Sequence, residues 1–413
     1  MQLSQSEISP EHAVSEFLAS LPGLTLGVAV SGGSDSLALL HLVHEWARLN
    51  HTKVVAATVD HGLRPEAADE ARQVAGVCDG LGVSHTTLTW QGAGSGGNIQ
   101  SMARDARYSL LADWAKNEQV DFVLLGHTQD DLAENLLIRL ARRAGVDGLA
   151  AMDDRFERQH QRFARPLLDV PRAHLQSYLQ DRDIQWVDDP SNEDEVYDRV
   201  RARRALVTLA DVGIDSSALA QVSRNMSDAK VALHDQMADL AWTHARIESG
   251  DLVIRREAFT DVPVEISRRL LLVALQWVSG SGYAARREPL VALLRSIQQN
   301  QGGTLQGCLV TVDDQNCRIG REYAAVKSLS AVDGIWDGRW KLEGPYQPGF
   351  EVRSLGEEGL RQVPDWRESG LVRSSLIASP AVWGGDMLVA APLAGYNKAW
   401  SAKLLPERAV FLP

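Results

Sequence analysis

Val28-Ala29-Val30-Ser31-Gly32-Gly33-Ser34-Asp35-Ser36 is the stretch on which the reading of this chain turns. Upstream, Leu24 to Val30 is apolar, rich in β-branched residues and bounded by Pro22-Gly23, the pattern of a buried strand. Downstream, Leu39, Leu40, Val43 and Trp46 recur at the spacing of an amphipathic helix. Two glycines between strand and helix let the backbone turn tightly and approach a ligand. A helix that starts there presents free N–H groups and the positive end of its dipole, which together favour a bound anion. Serine hydroxyls donate to the same phosphate oxygens. Asp35 alone would repel phosphate, so its presence fits a magnesium ion bridging carboxylate and phosphates. An ordinary glycine turn capping a helix is the competing reading. No Gly-Lys-Ser/Thr follows, and Ser31 to Ser36 does not read GxGxxG, so neither of the two common phosphate-binding fingerprints applies to this loop.

Working outward, Val54 to Val59 forms a second apolar run that ends in Asp60-His61-Gly62-Leu63-Arg64-Pro65. A helix over 66–81, a strand over Ser84 to Trp90 and the glycine-rich Gly92 to Gly97 follow, the last read as a surface loop. The next helix carries Ala103-Arg104-Asp105-Ala106-Arg107-Tyr108. Phe122 to Gly126 is a further buried strand and runs into His127-Thr128-Gln129-Asp130-Asp131-Leu132-Ala133-Glu134-Asn135. Strands alternating with helices imply a parallel sheet, and ligands of such sheets sit beyond the carboxyl ends of the strands. Every polar cluster just named falls at such an end. Asp130 and Glu134 share a helix face with Asp131 beside them, so these acids are candidates to hold magnesium or orient an attacking amine. Acids in a first turn also serve as plain helix capping. His127 is a candidate to bind phosphate or stabilise charge in transfer. Farther on come Arg165-Pro166-Leu167-Leu168, Trp186-Val187-Asp188-Asp189-Pro190-Ser191-Asn192 and the basic run Tyr197-Asp198-Arg199-Val200-Arg201-Ala202-Arg203-Arg204. That run is either a solvated helix face or a phosphate-binding one.

The loop resembles the PP-loop (SGGxDS) of ATP pyrophosphatases. The whole series of motifs resembles the tRNA(Ile)-lysidine synthase family: SGGSDS, DHGLR, ARxxRY, LLGHTxDDxAE, RPLL, WVDDPSN and YDRxRxR. The resemblance implies a doubly wound parallel α/β sheet of the PP-loop (adenine nucleotide alpha hydrolase-like) type over 1–213. After it come a mainly helical substrate-specificity domain over 214–327 and a small α+β C-terminal tRNA-binding domain over 328–413. It implies a ligase that adenylates the wobble cytidine of the CAU anticodon of an isoleucine tRNA with ATP. L-Lysine then displaces AMP at C2. Carried over by position, Ser31, Gly32, Gly33, Ser34, Asp35 and Ser36 would bind ATP. Val30, Val59, His61, Arg107 and Gly126 would complete the nucleotide pocket, and Asp35 and Asp130 would hold Mg2+. Asp35, Arg104, His127, Asp130, Asp131 and Glu134 would be catalytic, and Arg199, Arg201, Arg203 and Arg204 would meet the RNA. The chain departs from the family pattern at Leu132, Asn135, Ala144 and Val200, none of which is a proposed phosphate, metal or carboxylate group.

Composition bounds the alternatives. The 413 residues suffice for two or three domains. No apolar run reaches the ~20 residues of a membrane span, and the N-terminus lacks the pattern of a signal peptide, so the expected compartment is the cytoplasm. Cys78, Cys308 and Cys317 are too few and too scattered for a disulfide framework. They are also badly spaced for a tRNA thiolase, the nearest alternative enzyme. A non-catalytic nucleotide-binding protein would have no need of several acids beside a triphosphate. The net charge of -12 requires that any RNA surface be local. "TLxGC" at 304–308 and the tail with Pro364-Asp365-Trp366-Arg367 resemble the later domains of the family, and Arg353, Arg361, Arg367 and Arg373 are candidate acceptor-arm contacts or simply solvated surface. The sequence leaves the oligomeric state open, a homodimer included.

Overall fold

The structure is a computed structural model that describes residues 9–21, 25–62, 67–90, 92, 99–187, 198–332, 334–406 and 411, without the side chains at 67 and 99–101. Pro22-Gly23, Leu63 to Pro65, Ala93 to Gly97, Asp188 to Asn192 and Tyr197, all singled out above, lie outside the described residues. Two compact units divide the chain, Met1–Lys230 and Val231–Pro413.

In the first unit the order is α1 (Pro10–Ala19), β1 (Leu26–Ala29), α2 (Ser34–Asn50), β2 (Val54–Asp60), α3 (Ala67–Leu81), β3 (Ser84–Thr89), α4 (Ile99–Asn117) and β4 (Phe122–Leu125). There follow α5 (Gln129–Ala141), α6 (Val146–Leu149), β5 (Arg155–Arg158), β6 (Gln161–Ala164), α7 (Arg172–Gln180), α8 (Asp198–Ala210) and α9 (Ser216–His244), within which the boundary between the units falls. The sheet runs β3-β2-β1-β4-β6-β5. All its pairings are parallel except β5 with β6. Successive residues of a strand point to opposite faces. Leu26 and Val28 accordingly pack with Leu37, Leu40 and Val43 of α2, while Ala29 packs with Leu111, Trp114 and Ala115 of α4. A side chain at Gly27 would come within 2.8 Å of the Trp114 ring, so glycine is what lets α4 lie that close. Both faces are covered, as a doubly wound sheet requires. The chain leaves β1 toward β2 and β3, then returns to the other side of β1 as β4. That reversal opens a crevice at the carboxyl ends of β1, β2 and β4.

The second unit holds an antiparallel sheet ordered β7 (Ala245–Glu248), β8 (Asp251–Arg255), β11 (Asn316–Arg321), β10 (Cys308–Val312) and β9 (Gly303–Leu305). Helices α10 (Glu257–Thr260), α11 (Val264–Ser279) and α12 (Arg287–Gln298) share one core with it, built from Phe259, Leu270, Leu275, Leu294 and Ile319 among others. Apolar repeats in the sequence at 216–245, 266–277 and 290–297 predict three helices, which are α9, α11 and α12; nothing in the sequence marks β7 or β8 as strands.

The end of the unit comprises α13 (Tyr323–Val326), β12 (Ser330–Ala331), β13 (Ile335–Trp336), β14 (Trp340–Glu343), β15 (Phe350–Ser354), α14 (Gly356–Arg361), α15 (Arg373–Ile377), β16 (Pro380–Gly384), β17 (Met387–Ala390) and β18 (Ser401–Leu404). They make a four-stranded sheet, β12-β15-β16-β17, and a three-stranded one, β13-β14-β18. In the tail the sequence pattern predicts a strand over Ser374 to Ala378, but the structure has the short helix α15 there, because a run this short does not separate helix from strand by periodicity. The sequence pattern also predicts a helix over Leu360 to Arg367; the helix begins earlier, at Gly356, and stops at Arg361, before Pro364.

Candidate active site

A cavity of about 630 Å3 opens at the crevice of the first unit. Its floor is the loop between β1 and α2. Gly32 adopts φ +90°, a conformation side-chained residues avoid, and the chain then enters α2 with Gly33 at the N-cap and no side chain capping it. The loop braces itself. Ser31 N–H donates to Ser36 Oγ at 3.0 Å, and Ser36 Oγ donates to the Gly33 carbonyl at 3.0 Å. Val187 N–H donates to the Gly32 carbonyl at 3.0 Å. At the end of β4, a Cβ on Gly126 would meet the Asp35 carbonyl oxygen at 3.0 Å and Ser36 Cα at 3.1 Å, so the loop rests on a position that only glycine fills without displacing backbone.

The lining includes Val30, Ser31, Gly33, Ser34, Asp35, Ser36, Val59, His61, Arg107, Gly126, His127, Asp131, Arg199 and Arg203. Most expected site residues, from separate stretches of sequence, therefore meet in one cavity. Gly32 lies in the same loop. Arg107 faces the cavity without an ion pair among the described residues; burial and the nearby Arg104 and Arg199 all disfavour its charge, so an anion there would be welcome. Arg104 itself is exposed, with Nη2 3.5 Å from the Tyr108 hydroxyl, and is not among the lining residues. His61 stands edge-on to Trp90, its ring Nδ1 buried with no hydrogen-bond partner among the described residues and its pKa pushed down by burial.

On the wall formed by α5, Thr128 and Asp131 make a capping box: Asp131 Oδ2 accepts from Thr128 N–H at 2.9 Å and from Thr128 Oγ1 at 3.1 Å. Burial opposes the charge of Asp131, but Arg172, Arg199 and the Thr128 N–H outweigh it and hold its carboxyl below the usual range. His127 accepts from Arg165 Nε through Nδ1 at 3.3 Å, and burial pushes its pKa down to about 3. It is therefore a neutral ring with its proton on Nε2. Asp130 turns away from the cavity. Its Oδ2 accepts from Arg172 N–H at 2.8 Å and its Oδ1 from Ser216 Oγ at 3.2 Å. Glu134 is buried; Oε1 accepts from Arg203 Nε at 2.7 Å, while Oε2 is buried with no hydrogen-bond partner among the described residues. Arg199 Nη1 lies 4.0 Å from Asp131 Oδ1. Arg201 pairs with Asp198, and Arg204 is exposed on the same helix.

Arg172 stands at the centre of these acids and belonged to no motif singled out from sequence. Its Nε donates to Asp35 Oδ2 at 2.9 Å and its Nη1 to Glu134 Oε1 at 3.3 Å. Thr58, Glu70 and Gln176 also line the cavity and carried no signal. Pro171-Arg172 just after the quoted Arg165-Pro166-Leu167-Leu168 was the one available hint: proline ahead of a helix marks an N-terminus beside a strand end. The departure at Leu132 has a packing reason, since its side chain joins Leu168 and Ala220 in an apolar cluster.

Magnesium needs one or two carboxylates and takes its remaining oxygens from phosphate and water. Asp35 fits that requirement: it lines the cavity beside the anion-binding loop, and burial is the largest influence on its carboxyl, pushing the pKa up against the pull of Arg172. A bound cation would relieve that burial. Among the described residues no three His, Cys, Asp or Glu side chains form a ready-made metal cage. Cys78, Cys308 and Cys317 are all buried, with pKa values pushed by burial to about 11, 12 and 12, so none is a ready nucleophile.

An open parallel sheet, a glycine–serine loop feeding a helix N-terminus and an acid beside it define a PP-loop nucleotide-binding domain, and residues 7–210 match the family model of that description, the PP-loop domain. The tRNA(Ile)-lysidine synthase of Ruegeria pomeroyi is 46% identical over 95% of this chain and 94% of its own length. That of Wolbachia pipientis wMel is 32% identical over 90% of this chain and 89% of its own. The Zymomonas mobilis enzyme is 39% identical over 78% and 94%. The chain belongs to the tRNA(Ile)-lysidine synthase family. No helix among the described residues is long and apolar enough to cross a membrane.

Proposed function

We propose that this chain joins the side-chain amine of L-lysine to C2 of the wobble cytidine in the CAU anticodon of an isoleucine tRNA, with ATP converted to AMP and pyrophosphate. One observation carries the reading beyond family membership: a glycine–serine loop at a helix N-terminus, an arginine with no ion pair among the described residues and the carboxylate of Asp131, held in its charged form by Arg172 and Arg199, face a single cavity large enough for a nucleotide. In the first step the cytidine O2 attacks the α-phosphorus of ATP and pyrophosphate departs. The N–H groups at the start of α2 and the hydroxyls of the Ser31–Ser36 loop hold that pyrophosphate, and Arg107 offsets charge on the phosphates. Mg2+ would be held by Asp35, with Asp131 nearby, and supplies further neutralisation of the phosphate charge. In the second step the lysine amine attacks C2, the bond from C2 to O2 breaks, and AMP leaves carrying that oxygen. A carboxylate of the 130–134 block receives the amine proton; Asp131 is the member of that block that lines the cavity. Neutral His127 offers an Nε2–H donor to a phosphate oxygen. Arg199, Arg201, Arg203 and Arg204 are assigned to the RNA backbone, Arg199 and Arg203 reaching the cavity rim. Residues 214–327 and 328–413 are proposed as separate substrate-specificity and tRNA-binding domains.

The test is turnover of ATP labelled at the α-phosphate, with L-lysine and unmodified CAU isoleucine tRNA, each omitted in turn. AMP release that needs both, with lysine label appearing in the RNA, is the expected result. AMP release with tRNA but indifferent to lysine would overturn the assignment of the acceptor. It would favour another PP-loop chemistry.

A further inference from the structure

Arg172 touches acids from two separate elements. Nε holds Asp35 at 2.9 Å, Nη1 holds Glu134 at 3.3 Å, and Nη2 lies 3.6 Å from Asp131. Its backbone N–H holds Asp130, which fixes the start of α7 against α5 whatever the side chain does. The guanidinium is mostly shielded from solvent. Burial works against its charge, and Asp35, Asp131 and Glu134 outweigh this and raise its pKa above the ordinary arginine value.

The three acids do not depend on Arg172 equally. Glu134 keeps Arg203 at 2.7 Å, and Asp131 keeps two hydrogen bonds from Thr128 and has Arg199 at 4.0 Å. Asp35 has only the Ser34 hydroxyl besides, at 3.2 Å, among the described residues. Asp35 is also the carboxylate assigned above to the divalent cation. A guanidinium and a metal ion compete for the same oxygens, since like charges at contact distance repel. The planar fork of arginine lets Nε be freed while both terminal nitrogens keep their partners.

We propose that Arg172 is a resident counter-ion for Asp35. Before loading it aims this carboxylate and balances its charge; when the metal–nucleotide complex arrives it hands the carboxylate over and stays on Glu134 and Asp131. It is a positioning residue, acting through Asp35 and not on the reacting atoms. The proposal rests on the metal assignment under Proposed function and deepens it.

The probe is Mn2+, titrated without nucleotide into the purified full-length protein, with free Mn2+ read by electron paramagnetic resonance. Arg172→Gln should bind Mn2+ at least about 10-fold more tightly than the parent, the scale of one lost charge–charge contact at a partly buried site. Arg172→Lys, which keeps the charge but not the fork, should fall between the two and serves as the readout if the glutamine variant does not fold. The gain should vanish in Asp35→Asn/Arg172→Gln. A merely structural arginine would leave Mn2+ affinity unchanged or lower it on replacement, and either result overturns the proposal, as does a gain that persists without Asp35. Because no tRNA or lysine is present, failure here is distinct from failure of the lysidine reading, which the labelled-ATP assay decides.

Discussion

Asp35, His127 and Arg107 each have a local environment that makes a separate expectation. Asp35→Ala should lower pyrophosphate release by at least about 100-fold, the usual scale for losing one group that organises charge stabilisation; full retention would break the assignment. Arg107→Ala should raise the KM for ATP roughly 10-fold or more while leaving the fold intact, since it removes a half-buried cation that lines the cavity and holds no ion pair among the described residues. For His127 the sign follows from protons bound. The ring titrates near 6.5 in the unfolded chain and about 3 in the folded one, so between those values only the unfolded state takes the proton. Stability therefore rises with pH across that window and levels off above it, with about 2 kcal/mol lost at pH 5 from this group. Urea midpoints at pH 5 and 7.5 should differ less in His127→Gln than in the parent; an equal difference would show that the folded ring titrates normally. Above pH 6 the same ring should contribute no inflection to the rate profile.

At the scale of elements, the contact between the end of β4 and the loop before α2 is the most sensitive joint. Gly126→Ala would push a methyl into the Asp35–Ser36 backbone, which has no flexible end to yield. Nucleotide affinity should fall about 10-fold or more while the far-ultraviolet circular dichroism stays close to the parent's, because the change distorts a loop and not a helix. These elements were also the ones the sequence wrote most clearly. Buried parallel strands are short apolar runs between turn signals, and β1, β2 and β4 all had that form. The acids of α5 were visible because they crowd a helix start beside a strand end. The capping box was less visible: Asp131 at N3 looked like a catalytic acid, and it is both a cap and a cavity carboxylate. Arg172 escaped because its importance is not local. Nothing within α7 distinguishes it from an exposed arginine, and only the fold brings Asp35, 137 positions away, to its Nε. The hairpin of β5 and β6 was missed for a similar reason: Arg155 to Arg158 alternates charge with one aromatic and owes its strand state to pairing with β6.

Over the whole chain, acidity is uneven. Residues 1–230 hold 22 Lys and Arg against 33 Asp and Glu, whereas 231–413 hold 20 against 21. A polyanion meeting the first unit gains little from its mean field and must rely on a few placed arginines. If Arg199, Arg201, Arg203 and Arg204 are those contacts, the slope of log affinity against log salt should be about -4 or shallower, at roughly 0.7–0.9 per phosphate. A slope near -8 would mean that a broad basic face exists elsewhere. Removing one exposed arginine, as in Arg204→Ala, should reduce the slope by about one. The hydrogen bond from Val187 N–H to the Gly32 carbonyl has a bearing on how small the catalytic module can be made. A fragment ending at residue 180 would retain all six strands of the first sheet and the Asp35–Arg172 pair, yet its anion loop would lose a clasp supplied 155 positions downstream. The architecture of the nucleotide-binding unit and its working length are thus different quantities, and a designer trimming this enzyme by counting strands would cut away the residue that clasps the floor of its own site.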